Sequence, residues 1–175
     1  MTRHRNADEM IYDCRIERPG LQGLIDLKGE AADVLARLQR LGLADPPAQR
    51  AAHAGALRVL RSAPSHWLLR APLESEEGLL QSLLQPAPPP DTLIVPVSDA
   101  YAWFALRGPE ARELMAVGCP LDLDAQAFAA DGATFTEVFG LKTLLWRSAE
   151  GFELAVERSH DPLVADWFAR IQGTG

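Results

Sequence analysis

The apolar and polar positions of this chain follow one pattern twice, and the two copies lie 79 residues apart, from Gly29 to Gly108. In the first copy, the apolar run Leu24–Leu27 leads through a basic residue and a glycine into a segment with helical spacing of apolar residues. In the second, Phe104–Leu106 leads through the same two residue types into another such segment. Because glycine permits backbone angles closed to other residues, each copy predicts a strand that turns sharply into a helix.

A hairpin and a second helix are predicted after each of these corners. The predicted strands are Leu57–Leu60 with His66–Ala71 and Leu141–Leu144 with Phe152–Glu157, and the closing helices are Glu76–Leu84 and Pro162–Ile171. Each half is therefore predicted to be β-α-β-β-α, with one further strand allowed. Helices that alternate with hairpins indicate an α+β protein of two similar plait-like units packed together, with the ferredoxin-like plait as the natural candidate.

A proline-rich stretch separates the two halves and favours an extended, stiff spacer. The predicted organisation is a flexible tail over 1–10, a first α+β unit over 11–85, a linker over 86–90 and a second α+β unit over 91–175. Asp91–Val97 has the apolar character of a strand. Pro96 within it predicts an edge strand or a crossing point between the halves.

The net charge of −7 is unevenly distributed along the 175 residues. Residues 1–85 contain eleven basic and eleven acidic side chains, whereas residues 91–175 contain six basic and thirteen acidic ones. Phosphate binding needs clustered Lys and Arg, so we expect no nucleic-acid partner. The acidic excess predicts either a solvated face or a surface complementary to a basic partner.

The chain is expected to work in the cytoplasm. No apolar run approaches the roughly 20 residues that a membrane-spanning helix needs, and the first ten residues lack the apolar stretch of a secretory signal. Cys14 and Cys119 are far apart and are expected to be reduced thiols, at least one of them buried; a single bridge between the halves is the alternative. Fifteen arginines against two lysines indicate a GC-rich bacterial genome.

No stretch of the sequence has a pattern typical of a catalytic, cofactor or metal site. The histidines lack the spacing of zinc ligands, and His53 is expected in a loop. They are His4, His53, His66 and His160. Asp122 and Asp124 are close in sequence, but their context favours a turn over acid–base chemistry. Ser159 or Asp161 is expected to cap the last helix. We therefore predict no catalytic, cofactor-binding or metal-binding residue in this chain.

The aromatic residues are the remaining candidates. Aromatic side chains in strands and helices are usually core, and the four tryptophans are expected there. They are Trp67, Trp103, Trp146 and Trp167. The second half also places aromatic residues among few long charged ones, and one or two of these are predicted to anchor a protein interface. The candidate interface residues are Phe135, Phe139 and Trp146.

Several short motifs follow one another in a specific order, most clearly over residues 95–170. They are Val97-Ser98-Asp99, Leu106-Arg107-Gly108-Pro109-Glu110-Ala111, Gly118-Cys119-Pro120-Leu121-Asp122-Leu123 and Phe152-x-Leu154-x-Val156-x-Arg158-Ser159, followed by Trp167. This ordered set resembles the gamma subunit of heterotetrameric sarcosine oxidase. The first half is similar mainly through Leu27-x-Gly29 and Trp67-Leu68-Leu69. The chain departs from the family in its abbreviated start and in its atypical segment Phe135–Phe139.

The resemblance implies a fold similar to the folate-binding region of glycine-cleavage aminomethyltransferases. It also implies a complex that oxidatively demethylates sarcosine to glycine, with formation of hydrogen peroxide and, with tetrahydrofolate, of methylenetetrahydrofolate. FAD, covalent FMN, NAD, folate and zinc are then expected in the alpha, beta and delta subunits, and no catalytic residue transfers to this chain. A non-catalytic structural subunit, acting in sarcosine catabolism and one-carbon metabolism, is the leading hypothesis.

Three alternatives stay open. The chain can be a gamma-like subunit of another N-methyl amine oxidoreductase. It can be a stand-alone folate or small-molecule binding module, because two packed plaits can enclose a cleft. A stand-alone enzyme of the aminomethyltransferase type is least favoured, because 175 residues omit much of that larger fold. Asp99, Asp122 and Arg158 are the positions that an alanine scan would test for it.

Overall fold

The structure, a computed structural model, describes residues 11–173. Residues 1–10, predicted to be a flexible tail, lie outside this range. The described chain folds into ten strands and four helices, joined by turns and short 3-10 segments. In chain order they are β1 (Arg15–Glu17), β2 (Gly23–Lys28), α1 (Ala31–Arg40), β3 (Ala51–Ala54), β4 (Leu57–Ala63), β5 (His66–Ala71), α2 (Glu76–Leu83), β6 (Leu93–Pro96), β7 (Tyr101–Arg107), α3 (Ala111–Ala116), β8 (Ala133–Val138), β9 (Leu141–Ser148), β10 (Gly151–Glu157) and α4 (Asp161–Gln172).

The strands form two five-stranded antiparallel sheets with equivalent topology. The first sheet has the order β3-β4-β5-β2-β6 and the second the order β8-β9-β10-β7-β1. The series β2, α1, β3, β4, β5, α2 corresponds step by step to β7, α3, β8, β9, β10, α4. The predicted repeat and the α+β class with two similar plait-like units are thus confirmed. The further strand allowed in each half is β3 or β8.

The two halves exchange their edge strands. β1 comes first in the chain but pairs with β7 in the second sheet, with Ile16 opposite Leu106. β6 follows the proline-rich stretch but pairs with β2 in the first sheet, with Ile94 opposite Leu27. The prediction that Pro96 marks an edge strand or a crossing point between the halves is confirmed, because β6 is an edge strand of the first sheet. The boundaries at 11–85, 86–90 and 91–175 stay a prediction.

The two repeated glycines are required where the exchanged strands enter. Gly29 has a φ of +157°, and a Cβ there would lie 2.5 Å from Oγ1 of Thr92, just before β6. Gly108 has a φ of +137°, and a Cβ there would lie 2.5 Å from the carbonyl oxygen of Asp13, just before β1. The chain leading into each exchanged strand therefore passes over the other half's strand-to-helix corner, where any side chain would collide with it.

Four layers result, helices–sheet–sheet–helices, because both faces of each sheet are buried. One face of the first sheet packs on α1 and α2 through a cluster that includes Leu27, Leu69, Val34, Leu38 and Leu83. One face of the second sheet packs on α3 and α4 through a cluster that includes Phe104, Phe152, Leu114, Val164 and Phe168. The remaining faces meet through a third cluster that includes Leu24, Leu68, Trp103, Leu144 and Trp146. Alternate residues of the central strands thus serve two cores.

The sheets are also tied together at one side by backbone. The Ala51 amide donates to the Asp131 carbonyl over 2.8 Å, and the Ala133 amide donates to the Gln49 carbonyl over 3.0 Å. These bonds join the start of β3 to the start of β8. His53 lies within β3 and not in the predicted loop, because β4 supplies a full antiparallel partner to this alanine-rich segment.

In the described part of the chain, no helix is both long enough and apolar enough to cross a membrane.

Candidate functional site

A cluster of charged side chains lies at the junction between the two sheets. Glu153 of β10 is its centre, and the carboxylate accepts hydrogen bonds from Arg70 of β5 over 2.5 Å and from Arg58 of β4 over 3.5 Å. Arg107 of β7 donates to the other carboxylate oxygen over 3.4 Å. Glu153 and Arg70 are each 8% exposed. One carboxylate therefore links strands from both halves, and we call this set the junction cluster.

The electrostatics of the junction cluster favour the charged forms. Burial alone raises the pKa of the Glu153 carboxyl, but the surrounding arginines, Arg70 first, outweigh it and hold that pKa below its ordinary value. Burial lowers the pKa of Arg70, yet a guanidinium stays protonated near neutral pH. The Arg70 guanidinium also lies 4.2 Å from the ring centroid of Trp103, a cation–π contact within the sheet–sheet layer.

An open groove of about 510 Å³ lies above the junction cluster. Arg70 and Glu153 line its floor, and Leu21 and Leu73 stand on its rim at 42% and 40% exposure. The groove thus combines two exposed leucines with a charged floor. Because the arginines bind the Glu153 carboxylate, this group is not available as a general base. The groove instead offers a polar surface that another chain can contact.

The three candidate interface residues lie in different environments. Trp146 is 1% exposed and belongs to the sheet–sheet cluster, so its side chain presents no surface to a partner, and its selection as a contact residue needs correction. Phe135 is half-buried, with Nζ of Lys142 4.5 Å from its ring centroid. Phe139 is half-buried against Trp167, at 4.9 Å between ring centroids. The interface roles of Phe135 and Phe139 stay predictions.

The polar residues weighed for catalysis take structural positions. Nε2 of His66 lies 2.5 Å from Oδ1 of Asp26, whose other oxygen pairs with Lys28 over 3.0 Å. Asp122 accepts from the Asp124 amide, and Asp124 from the Gln126 amide, each over 2.9 Å, as in the predicted turn. Among residues 11–173, no group of three or more His, Cys, Asp or Glu side chains is placed to hold a metal ion.

The predicted cap of the last helix is wrong in its detail. α4 begins at Asp161 after a 3-10 turn, and neither Ser159 nor Asp161 caps it with a side-chain hydrogen bond. Asp161 instead pairs with Arg18, which precedes β2. The neighbouring Arg158 donates to the carbonyls of Asp99 and Tyr101 and so fixes the entry into β7.

Both cysteines are free and buried, in agreement with the predicted reduced thiols. Burial raises the pKa of the Cys14 thiol, which keeps it protonated and unreactive near neutral pH. Cys119 lies in the same helix–sheet cluster as Cys14.

The junction cluster is the feature that the sequence interpretation missed. A signal for it exists in β10, where Glu153 interrupts an otherwise apolar strand, and in β5, where Arg70 does the same. A charge in the middle of a buried strand usually has a buried partner.

Comparison with known proteins gives the fold. No protein-family model and no curated protein matches this chain. Among solved structures, a chain of heterotetrameric sarcosine oxidase from Corynebacterium sp. U-96, in complex with pyrrole 2-carboxylate, aligns with a TM-score of 0.82 and 20% identity. The alignment covers 97% of this chain and 90% of that one. Glycine cleavage system aminomethyltransferase T from Bartonella henselae aligns with a TM-score of 0.66 and 15% identity, over 93% of this chain and 46% of that one.

Proposed function

We propose that this chain is a non-catalytic structural subunit of a sarcosine oxidase-like complex. The observation that carries the proposal is the near whole-chain likeness to a chain of heterotetrameric sarcosine oxidase, 97% of this chain against 90% of that one. The aminomethyltransferase likeness extends over only 46% of its chain, so the sarcosine oxidase chain is the better match in size as well as in fold.

The chemistry of the described side chains supports a structural role. The carboxylate of Glu153 is neutralised by arginines, His66 is paired with Asp26, and the thiols of Cys14 and Cys119 are buried. The exposed leucines on the groove rim, with Phe135 and Phe139, supply apolar surface for neighbouring subunits. Two free buried cysteines suit a reducing compartment, and we propose the cytoplasm.

In this proposal the chemistry belongs to the partners. Alpha, beta and delta subunits would carry FAD, FMN, NAD, tetrahydrofolate and zinc, and the complex would demethylate sarcosine oxidatively to glycine. This chain would then contribute assembly and stability. A gamma-like subunit of another N-methyl amine oxidoreductase would have the same fold and differ in the substrate of its partners.

Affinity capture tests the proposal directly. The tagged full chain, expressed in its source organism, should copurify with flavin-containing polypeptides, and the captured material should produce hydrogen peroxide when sarcosine is added. The isolated chain should produce none. Assays with other N-methyl amines on the same captured material distinguish the related oxidoreductase. A monodisperse monomer that captures no flavoprotein would overturn the proposal.

A folate or small-molecule binding module is the second candidate. The likeness to an aminomethyltransferase over 93% of this chain and the groove at the junction favour it. Binding to the folded state raises the melting temperature by mass action. Titration of the isolated chain with tetrahydrofolate should raise its melting temperature if this candidate is right, and an unchanged melting temperature at saturating folate would remove it.

A further inference from the structure

An open cleft of about 680 Å³ lies at the end of the second sheet, away from the junction groove. It is bounded by the chain before β1, the corner between β7 and α3, and the turn between β9 and β10. Four arginines line it, against the two carboxylates of Asp13 and Glu150. They are Arg15, Arg107, Arg112 and Arg147. We call this surface the arginine cleft.

The arginine cleft contrasts with the charge of the chain around it. Residues 91–175 contain six basic and thirteen acidic side chains, and three of those six basic side chains line the cleft. Arg15 joins them from the first half through the exchanged strand β1. The fold therefore gathers four arginines at one place on an acidic protein, where they can attract a negatively charged group.

Of the four cleft arginines, Arg147 alone has no carboxylate partner among residues 11–173. In the described chain, no carboxylate oxygen lies within 4 Å of its guanidinium, and its side chain donates instead to the Leu123 carbonyl. Its Nε is buried without a hydrogen-bond partner. The guanidinium is held 5.0 Å from the ring centroid of Phe152 and 6.0 Å from that of Phe128. It is thus an oriented and unneutralised positive charge.

The other arginines remain accessible. Arg15 and Arg112 pair with neighbouring glutamates at 2.8 Å, but their side chains are 73% and 53% exposed. Arg112 also lies 3.6 Å from Asp124. Exposed ion pairs of this kind contribute little to stability, so an incoming carboxylate can replace them at small cost. Arg107 is committed to Glu17 and to the junction cluster.

We propose that the arginine cleft receives an extended acidic segment of a partner subunit, whose Asp and Glu carboxylates bind Arg15, Arg112 and Arg147. This inference rests on the proposed function. A small anion would stay largely hydrated in so open a cleft, because small-ligand sites bury most of the ligand surface. Carboxylates joined in one segment can engage several arginines at once, and each gains from its neighbours' binding.

The first experiment uses the isolated full chain and a fluorescein-labelled hexaglutamate peptide, followed by fluorescence anisotropy at low ionic strength. Arg112→Glu and Arg15→Glu should each weaken binding by about tenfold or more. The matched control is Arg170→Glu on α4, which is also exposed and paired with a neighbouring carboxylate; it should leave binding unchanged. An equal loss of peptide affinity in the control would overturn the site. Displacement of the peptide by inorganic phosphate at the same concentration would also overturn it as a peptide site.

The second experiment uses the captured complex. A benzophenone side chain at the exposed position 149, on the wall of the cleft, should crosslink to a partner peptide rich in Asp and Glu; the same group at position 78 on α2 should not. Crosslinks to a neutral or basic peptide, or to a second copy of this chain, would overturn the inference. Hexaglutamate binding without any captured flavoprotein would leave the cleft standing and remove the proposed function. If Arg112→Glu and the wild type capture a flavoprotein equally well, the proposed function stands and the acidic-segment site is overturned.

Discussion

Glu153 shows how much one side chain can decide in this protein. It projects from β10 toward the opposite sheet and accepts hydrogen bonds from Arg58 and Arg70 of the first half and from Arg107 of the second. A carboxylate buried to this extent is tolerated because cations surround it. The same arginines would repel one another without Glu153. Their attraction to the carboxylate offsets the cost of its desolvation and holds the two halves in register.

Replacing Glu153 by Gln removes the charge and keeps the shape. We expect Glu153→Gln to lower the free energy of unfolding by about 2–3 kcal/mol, because Arg70 is then left buried without its countercharge. Urea unfolding followed by tryptophan fluorescence measures this. Glu150→Gln is the matched control, since Glu150 faces Arg107 at 3.6 Å with a side chain that is 68% exposed; its effect should stay within about 0.5 kcal/mol. Equal effects of the two substitutions would contradict the importance of burial.

The lowered pKa of Glu153 predicts a pH dependence with a definite sign. A carboxyl with a folded-state pKa below its unfolded value contributes stability above the unfolded value, and this contribution is lost as pH falls through the folded value. The difference in unfolding free energy between wild type and Glu153→Gln should therefore be constant near neutral pH and shrink below roughly pH 4. Urea unfolding at a series of pH values measures it, and a difference that grows on acidification would contradict the assignment.

At the scale of elements, the turn between β8 and β9 begins at the last residue of the segment Phe135–Phe139. Phe139 and Gly140 connect the two strands with φ values of +53° and +76°. Positive φ at both central residues is the geometry of a tight hairpin turn, in which a bulky residue is unfavourable. The Phe139 ring packs on Trp167 and Phe168 and lies against Gly118, which offsets that cost.

Gly118 is the position that tests this packing. A Cβ there would lie 2.2 Å from the Phe139 ring, so Gly118→Ala must displace the ring and should destabilise the protein by about 1–3 kcal/mol. The fluorescence of Trp167 should change with it. Gly78→Ala is the control, because no atom lies within 4 Å of a Cβ in that part of α2; it should stabilise by about 0.5–1 kcal/mol. Thermal unfolding of both variants measures the contrast, and a neutral Gly118→Ala would refute the packing argument.

The elements that the sequence predicted are those with a local signature. The glycine corners at 29 and 108 and the apolar hairpins are readable, because backbone geometry and alternation act within a few residues. A further strand was allowed in the first half, but its position at β3 was not predicted, since Ala-Ala-His-Ala has no branched or aromatic residue and is a strand only through its partner β4.

The candidate site was harder to predict from the sequence than the fold was. Arg70 and Glu153 are 83 residues apart and meet only because two sheets pack face to face. Trp146 was both expected in the core and named as a candidate interface anchor, because alternation shows that a strand has two faces, and it does not show that both are covered. The cleft arginines come from separate elements, and no local pattern joins them.

At the scale of the whole molecule, neither half is a complete sheet by itself. The first sheet needs β6 from beyond the linker, and the second needs β1 from the start of the described chain. Arg37 strengthens this dependence, because its buried guanidinium donates to the carbonyls of Leu83 and Pro86 and holds the linker against α1.

Fragments of the chain test that dependence. Residues 1–88 and 89–175, produced separately, should each lack cooperative unfolding by circular dichroism, because each would expose an unpaired strand and the apolar sheet–sheet face. Mixing them should restore the native spectrum. The control is the full chain cut at the same bond after folding, which should stay associated and native. A fragment that unfolds cooperatively by itself would contradict the expectation.

The exchange of β1 and β6 between the two halves has a consequence for the ancestry of the chain. A single repeat, from β1 to α2, contains β1, which does not pair in its own sheet, and lacks the edge strand that β6 supplies to that sheet. Two identical copies would therefore complete each other's sheets as a symmetric homodimer. Fusing those copies end to end would preserve every sheet pairing, and the tether would replace dependence on concentration with a fixed local supply of the second copy. The present molecule has the architecture that such a fused pair would have, and its two copies have been free to diverge in their surfaces.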